Sequence, residues 1–399
     1  MKNNRFAMIS LPLIIVLVTL CCISCYTIKC AAPYITNQAN PSSLWLKQLL
    51  FWFIGAIVIG FVYKFSNDRI YSGMWIIYGV LMVFLVALVI ERFAYTRFGV
   101  SIVPLAKTTN GATSWFNFPG FSFQPSEFMK IIMVVIMAKT AHEHNLEFPV
   151  HNFENDLKLI GKILLIALPP CALVYLENDA GVTMIMLSSV VFILFASGIQ
   201  KGWYLIGFGV VCLILLLAAY LFIYQHDLFT SIITGHKLDR LYGWLDPEGT
   251  YQNQGYQLYN AMMAYGTAGM FGHGFSSVII TLQEAQTDFI FSVITLGFGF
   301  VGGFITLLSV FALDFVIIRI GFKSKNSLDK YFISGLFGLL IFQQVWNIGM
   351  ILGLLPITGI TLPFISYGGS SLLSYMIAIG MCLDIHKQTY ILEGKNRYN

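Results

Sequence analysis

Charge is what this sequence has least of. Only 11% of its 399 residues are Asp, Glu, Lys or Arg, while 57% are hydrophobic; soluble domains carry about 25% charged residues. That balance excludes a soluble domain with a membrane tail, and it gives no reason to expect a nucleic-acid partner. Cysteine is also sparse and odd in number, at seven. Cys22 and Cys25 form a CxxC, but no second pair stands at zinc-finger spacing, so they are read as small buried hydrophobes. No repeat of fixed period and no low-complexity stretch is present.

What fills the chain instead is apolar runs. A hydrocarbon core of about 30 Å needs roughly twenty apolar residues. That length predicts spans near 6–26, 46–64, 71–91, 126–141, 158–176, 179–198, 202–224, 288–318, 331–355 and 366–386. The first follows Lys2 and Arg5 like a signal peptide, yet Leu20 stands before Cys21 where cleavage wants a small side chain, so a retained helix is expected. With the N-terminus inside, the 23 Lys and Arg divide 15 to 8 in favour of the cytoplasmic side. The expectation is an all-α integral membrane protein forming one polytopic domain over 1–399. It has about ten spans, both termini cytoplasmic and outward loops at 92–125 and 225–287.

The longest polar interruption, about 225–287, leads straight into Asp288. An acid where water meets a membrane helix is costly unless it has work to do. Six of the eight outer cations (Arg92, Arg97, Lys107, Lys130, Lys237 and Arg240) lie in or beside the two outward loops, against the topology bias. They suit either an anionic ligand or snorkelling to lipid headgroups.

Two further stretches carry chemistry. Phe123-Gln124-Pro125-Ser126-Glu127-Phe128-Met129-Lys130 has a helix start, with Glu127 and Lys130 on one face. Trp115, just before it, suits an aromatic belt as well as a pocket. The run Asn347 to Ser371 is apolar yet broken by Pro356, Gly359 and Pro363. Such backbone survives at membrane depth only if packed in protein or lining a wet cavity, so a re-entrant turn is expected at about 356–366. The amides of Ser366-Tyr367-Gly368-Gly369-Ser370 either face an anion or permit close helix packing. The acidic turn Glu177-Asn178-Asp179 reads by default as solvated, and Asp314 and Asp384 as structural.

The Asn347–Ser371 run, with its Pro, Gly and Ser-Tyr-Gly-Gly-Ser spacing, resembles the signature of the SEDS family of bacterial cell-envelope proteins, the RodA/FtsW/SpoVE group. Phe123–Lys130 resembles that family's Gln-Pro-Ser-Glu motif, Asp239–Pro247 its Arg-to-Asp-Pro segment, and Glu284–Phe291 its Thr-Asp-Phe-Ile-Phe motif. There are departures. Gln283 stands where the family has Pro, Leu296 and Gly297 where it has a Glu pair, and Asn178-Asp179-Ala180-Gly181-Val182 where it has Pro-Asp-Leu-Gly-Thr.

The resemblance implies a peptidoglycan glycosyltransferase of the bacterial cytoplasmic membrane that polymerises lipid II at the outer face and works with a class B penicillin-binding transpeptidase. Asp288 is the family-matched general base. The leaving group is a stable pyrophosphate anion, so cations replace a second catalytic acid. Arg240 and Lys130 are the first choices, with Arg97 and Lys107 behind them; Trp115, Gln124, Glu127, Ser366, Gly368 and Gly369 complete the expected substrate-binding set. A divalent cation on the pyrophosphate is compatible with this chemistry, although no ligand cluster fixes one. A lipid II flippase and a non-catalytic transpeptidase scaffold remain as alternatives.

Overall fold

The computed structural model describes residues 8–35, 40–106, 112–233, 235–275 and 280–396. Three long helices come first, α1 (Leu11–Ala31), α2 (Leu44–Phe65) and α3 (Asn67–Phe98). An antiparallel hairpin follows, β1 (Phe116–Phe118) and β2 (Phe121–Phe123), with Phe116 opposite Phe123. Four more long helices succeed it: α4 (Pro125–Glu147), α5 (Phe153–Leu176), α6 (Ala180–Ser197) and α7 (Lys201–Tyr224). The polar interruption folds into three short helices, α8 (His226–Ile232), α9 (His236–Leu245) and α10 (Tyr256–Thr267). The chain then returns through α11 (Ile290–Lys323), α12 (Ser327–Ile351) and α13 (Gly369–Asn396).

Each expected span overlaps one long helix; the first, expected at 6–26, lies five residues later at Leu11–Ala31, and residues 6 and 7 fall outside the described residues. The hairpin was not expected. Pro119-Gly120 turns it, with Gly120 at φ 93°, and the Phe118 and Phe121 rings stack at 5.0 Å.

Among the described residues, nine helices are long and apolar enough to cross a membrane. The long helix left out is α4, which carries Glu127, Lys130, Lys139, Glu143 and Glu147. It lies at the centre of the bundle, against α3, α5, α6, α12 and α13, and every residue from Met129 to Ala138 is buried. Protein rather than lipid therefore surrounds it, and its polarity is met by neighbouring side chains. By contrast α7 buries no residue fully and meets the bundle mainly at its ends, where Trp203 stacks on Phe153 and Phe222 packs on Phe229, so most of its apolar surface is left exposed.

Two irregular segments shape the rest. Between α12 and α13, residues 352–368 run without helix yet bury Ile357, Ile360, Leu362 and Ile365. Polar side chains of α12 satisfy their backbone. Gln343 Nε2 donates to Thr361 O at 2.8 Å, Trp346 Nε1 to Pro356 O at 3.3 Å, and Asn347 Nδ2 to Ile360 O at 2.6 Å. The last helix starts at Gly369, three residues later than expected at 366, because Ser366 closes a turn in which its Oγ accepts from Leu362 N at 2.8 Å.

The second irregularity breaks α11 at Gly299, whose φ of 64° and ψ of −156° belong to glycine. The break exposes four backbone groups, and a strap from the polar loop pairs them. His273 and Gly274 N–H donate to Leu296 and Gly297 carbonyls at 2.8 and 3.1 Å. Phe300 and Val301 N–H donate to Gly269 and Met270 carbonyls at 2.9 and 3.1 Å. A Cβ on Gly297 would overlap the Phe275 ring, so the strap docks because that side chain is missing.

Asp384 is structural as expected: it accepts from Asn67 N at 2.9 Å and Lys387 Nζ at 3.0 Å, tying α13 to the start of α3. Asp314 is buried within α11, where it accepts from Gln344 Nε2 of α12 at 3.2 Å.

Candidate active site

Asp288 sits one residue before the cap of α11, and its main chain is gripped from both sides. Buried Asn347 donates from Nδ2 to Asp288 O at 2.8 Å while also holding Ile360 O. On the other side, Ser366 Oγ donates to Thr287 O at 2.7 Å and Tyr367 N to Gln286 O at 2.8 Å. The turn feeding it folds on Glu284, whose carbonyl accepts from Thr287 N and Phe289 N at 3.1 and 3.2 Å. The carboxylate itself receives no hydrogen bond from the described residues. It lies beside Gly359, where an added Cβ would stand 3.4 Å from Asp288 Oδ2. Asp288 is half-buried: protein surrounds it, but one side stays open to solvent. Burial pushes its carboxyl up to about 7, with Glu284 and Asp179 adding to the rise and Arg240 opposing it.

The α5–α6 turn packs against the same loop, because Gly181 lets Thr358 and Ile360 approach; a Cβ there would stand 2.9 Å from Ile360 Cγ1 and 3.3 Å from Thr358 O. This turn is not the solvated corner its polarity suggested. Asp179 caps α6, accepting from Val182 N at 3.1 Å through Oδ1 and from Gln124 Nε2 at 3.1 Å through Oδ2. Burial pushes Asp179 up to about 6; the Val182 bond opposes the rise, Glu127 adds to it, and Lys130 and Arg240 oppose it. Glu177 is fully buried, and burial with Asp179 beside it pushes its carboxyl up to about 9, opposed by Arg92.

The expected binding residues divide into three groups. Gln124 and Glu127 join the site through Asp179. Arg240, exposed on α9, acts on both Asp288 and Asp179 by charge. Lys130 departs from its expected contact with an outward anion. It is fully buried, paired with Glu127 at 2.8 Å, 4.5 Å from the Tyr375 ring centroid and 3.5 Å from Gln343 Oε1. Tyr375 Oη donates to that same Gln343 oxygen at 2.6 Å. Lys130 therefore neutralises the acids from behind.

Ser366 spends its hydroxyl on Leu362 and Thr287, and Gly368 N donates to Gln48 Oε1 at 3.4 Å. Gly369 serves close packing, since a Cβ there would stand 2.8 Å from the Phe51 ring. Trp115 is half-buried next to Thr113 and Ser114, and Thr113 N donates to Glu177 O at 3.3 Å, which draws the segment toward the α5–α6 turn. Arg97 packs over Phe93 of its own helix at 5.9 Å from the ring centroid. Lys107 lies outside the described residues. Among the described residues no group of three or more His, Cys, Asp or Glu is arranged to hold a metal ion.

Sequence reasoning missed Asp179 and Glu284 as charged neighbours of Asp288, Glu177 as the neighbour of Asp179, and Asn347 as the donor to the Asp288 carbonyl. The one available signal was that Asp179 keeps the acid of the turn it resembles.

A multi-pass membrane protein with a half-buried acid at the junction of three loops is the class these features define. The family model described as "Cell cycle protein", FTSW_RODA_SPOVE, matches residues 8–391, and the chain belongs to that family. It is a multi-pass protein of the bacterial cytoplasmic membrane. A probable peptidoglycan glycosyltransferase FtsW from Enterococcus hirae is 31% identical over 87% of this chain and 84% of its own. Stage V sporulation protein E of Bacillus subtilis is 30% identical over 86% of both. Among solved structures, a chain of a peptidoglycan synthase complex that coordinates polymerization and crosslinking superposes with a TM-score of 0.74 at 23% identity, covering 96% of this chain and 98% of that one. Thermus thermophilus rod shape determining protein RodA superposes at 0.65 with 22% identity and the same coverage. These two show that the fold is shared.

Proposed function

We propose that this protein is a peptidoglycan glycosyltransferase that polymerises lipid II, with Asp288 as general base. The carrying observation is the Asp288 carboxylate: clamped through its main chain, open on one side, and brought to about 7, where a base is half ionised at neutral pH. An acceptor sugar hydroxyl gives its proton to this carboxylate as its oxygen bonds to the donor's anomeric carbon. The bond from that carbon to the polyprenyl pyrophosphate breaks, and the pyrophosphate leaves as an anion. Attack opposite the leaving group inverts the centre, turning an α-linked donor into a β-linked polymer.

Arg240 is the exposed cation whose field reaches Asp288, and it meets the departing charge. Asp179 and Gln124 form the opposite wall. The buried Lys130–Glu127 pair fixes the potential of that wall without touching substrate. Loops 92–125 and 225–287 face outward, as the Lys and Arg distribution supports. The relatives' names support the glycosyltransferase reading, and a similar chain's place in a synthase complex that coordinates polymerization and crosslinking supports a transpeptidase partner for this one.

Purified protein with a class B penicillin-binding transpeptidase is expected to polymerise lipid II in detergent. Asp288→Asn lowers the rate by about 10²–10⁴-fold with folding intact. Robust polymerisation by Asp288→Asn refutes the assignment. Translocation of lipid II in sealed vesicles without polymerisation supports a flippase instead.

A further inference from the structure

Arg240 brings charge to the site, yet its own side chain does nothing to stay there. It is exposed and makes no hydrogen bond or ion pair among the described residues. Its helix, α9, has ten residues, too few to be stable by itself in water. The position of the guanidinium is therefore set by what α9 touches.

Two of those contacts lie on the Arg240 face. Lys237, Arg240 and Trp244 are spaced three and four residues apart, which puts them on one stripe of the helix. Lys237 Nζ stands 4.1 Å from the Tyr175 ring centroid and donates to Tyr175 Oη at 2.9 Å. By sequence Lys237 suited an anion or a lipid headgroup; its ammonium is instead spent on a tyrosine. Trp244 Nε1 donates to Gly353 O at 3.0 Å. The two anchors belong to the two walls of the site. Tyr175 is in the last turn of α5, four residues before Asp179. Gly353 opens the irregular segment whose Gly359 lies against the Asp288 carboxylate. Arg240 stands between the two pins, and its charge reaches both acids. A second side of α9 is braced as well. Gly243 lies against the turn after the helix, where a Cβ would overlap Gln254 O, and Gln254 Nε2 donates to Asp239 Oδ1 at 3.4 Å.

We propose that Lys237, through Tyr175, and Trp244, through the Gly353 carbonyl, are positioning residues that hold the Arg240 guanidinium beside Asp179 and Asp288. A cation fixed in place beforehand needs no reorganisation as charge develops on a leaving group. Neither pin touches substrate; each acts through Arg240. The kinetic effect rests on the proposed function, whereas the pinning of α9 does not.

The test uses detergent-purified full-length protein with its transpeptidase partner and two uncharged substitutions. Trp244→Phe removes the indole N–H, and Tyr175→Leu removes the ring and hydroxyl at a position that is 50% exposed. Both leave every charge of the chain in place, so a changed field at Asp288 reports a displaced Arg240. Hydrogen exchange over His236–Leu245 reads the pinning without catalysis and is expected to quicken about tenfold in each variant. In lipid II polymerisation the acid limb of kcat/KM is expected to move up by about half a pH unit, the direction of Arg240→Gln. That is roughly a threefold loss on the limb relative to each enzyme's own plateau. kcat falls more than KM rises. In the Arg240→Gln background neither substitution adds to the shift or to the kcat loss, as a general loosening of the fold would. Wild-type exchange in both variants overturns the proposal. So does quickened exchange with limb and kcat unmoved, or equal shifts with and without Arg240. A flat wild-type profile, with exchange quickened and the kcat losses absent from the Arg240→Gln background, refutes Asp288 as the titrating base and supports the pins.

Discussion

The charges around Asp288 make opposite predictions for two neighbouring substitutions. With its carboxyl at about 7, only about a tenth of Asp288 is ionised at pH 6, and about nine-tenths at pH 8. If the ionised form is the base, kcat/KM falls roughly tenfold per unit below pH 7 and levels off above pH 8. An aspartate at its ordinary 3.8 would give a flat profile over the same range. Glu284 raises Asp288, so Glu284→Gln moves the acid limb to lower pH, and activity at pH 6 rises relative to each enzyme's own plateau. The available gain is up to about tenfold, the deficit of the wild type at that pH. The change is isosteric, and Glu284 Oε2 accepts from Gln286 Nε2 and Thr287 Oγ1 at 3.1 Å each, bonds an amide oxygen can keep. Arg240 lowers Asp288, so Arg240→Gln moves the limb to higher pH, whatever it does to the plateau through the leaving group. The assay is lipid II polymerisation from pH 5.5 to 8.5 at fixed ionic strength, a range chosen to bracket the value of about 7. A flat profile across this range, or movement of both variants in the same direction, refutes Asp288 as the titrating base.

Two further outcomes follow from the packing. Asn347→Leu leaves the Asp288 and Ile360 carbonyls without their donor, at about 1–3 kcal/mol each, and is expected to lower kcat more than it raises KM in steady-state polymerisation; an unchanged kcat removes Asn347 as the clamp. Lys130→Met strands buried Glu127 and costs about 3–5 kcal/mol in thermal or denaturant unfolding, whereas adding Glu127→Gln restores most of the loss; equal instability of single and double variants would show that the ion pair is not the cause.

The helices were legible because length and apolarity are local properties, and a bilayer demands both. The same criterion fails at α4, whose position was found but whose polarity has meaning only once five helices surround it. The α11 break was also invisible. A glycine inside an apolar run reads as tolerated, and only the arrival of the strap shows that Gly299 and Gly297 are required there. The acidic turn at Glu177–Asp179 read as solvated because it is a short polar stretch between two apolar runs. Its neighbours in space are Gln124, Thr358 and Ile360.

Sequence alone determined that the protein is a predominantly helical membrane protein, and it singled out Asp288 as the candidate acid and the Asn347–Ser371 run as broken backbone between helices. These rest on the cost of putting charge or unpaired backbone in hydrocarbon, which composition reports directly. Tertiary structure decided which groups act on that acid. Lys130 was withdrawn into a buried pair, Asp179 and Glu284 were brought in, and Asn347 became the clamp. Burial and charge coupling depend on distance in space, and the separations from Gln124 to Asp288 along the chain carry none of it.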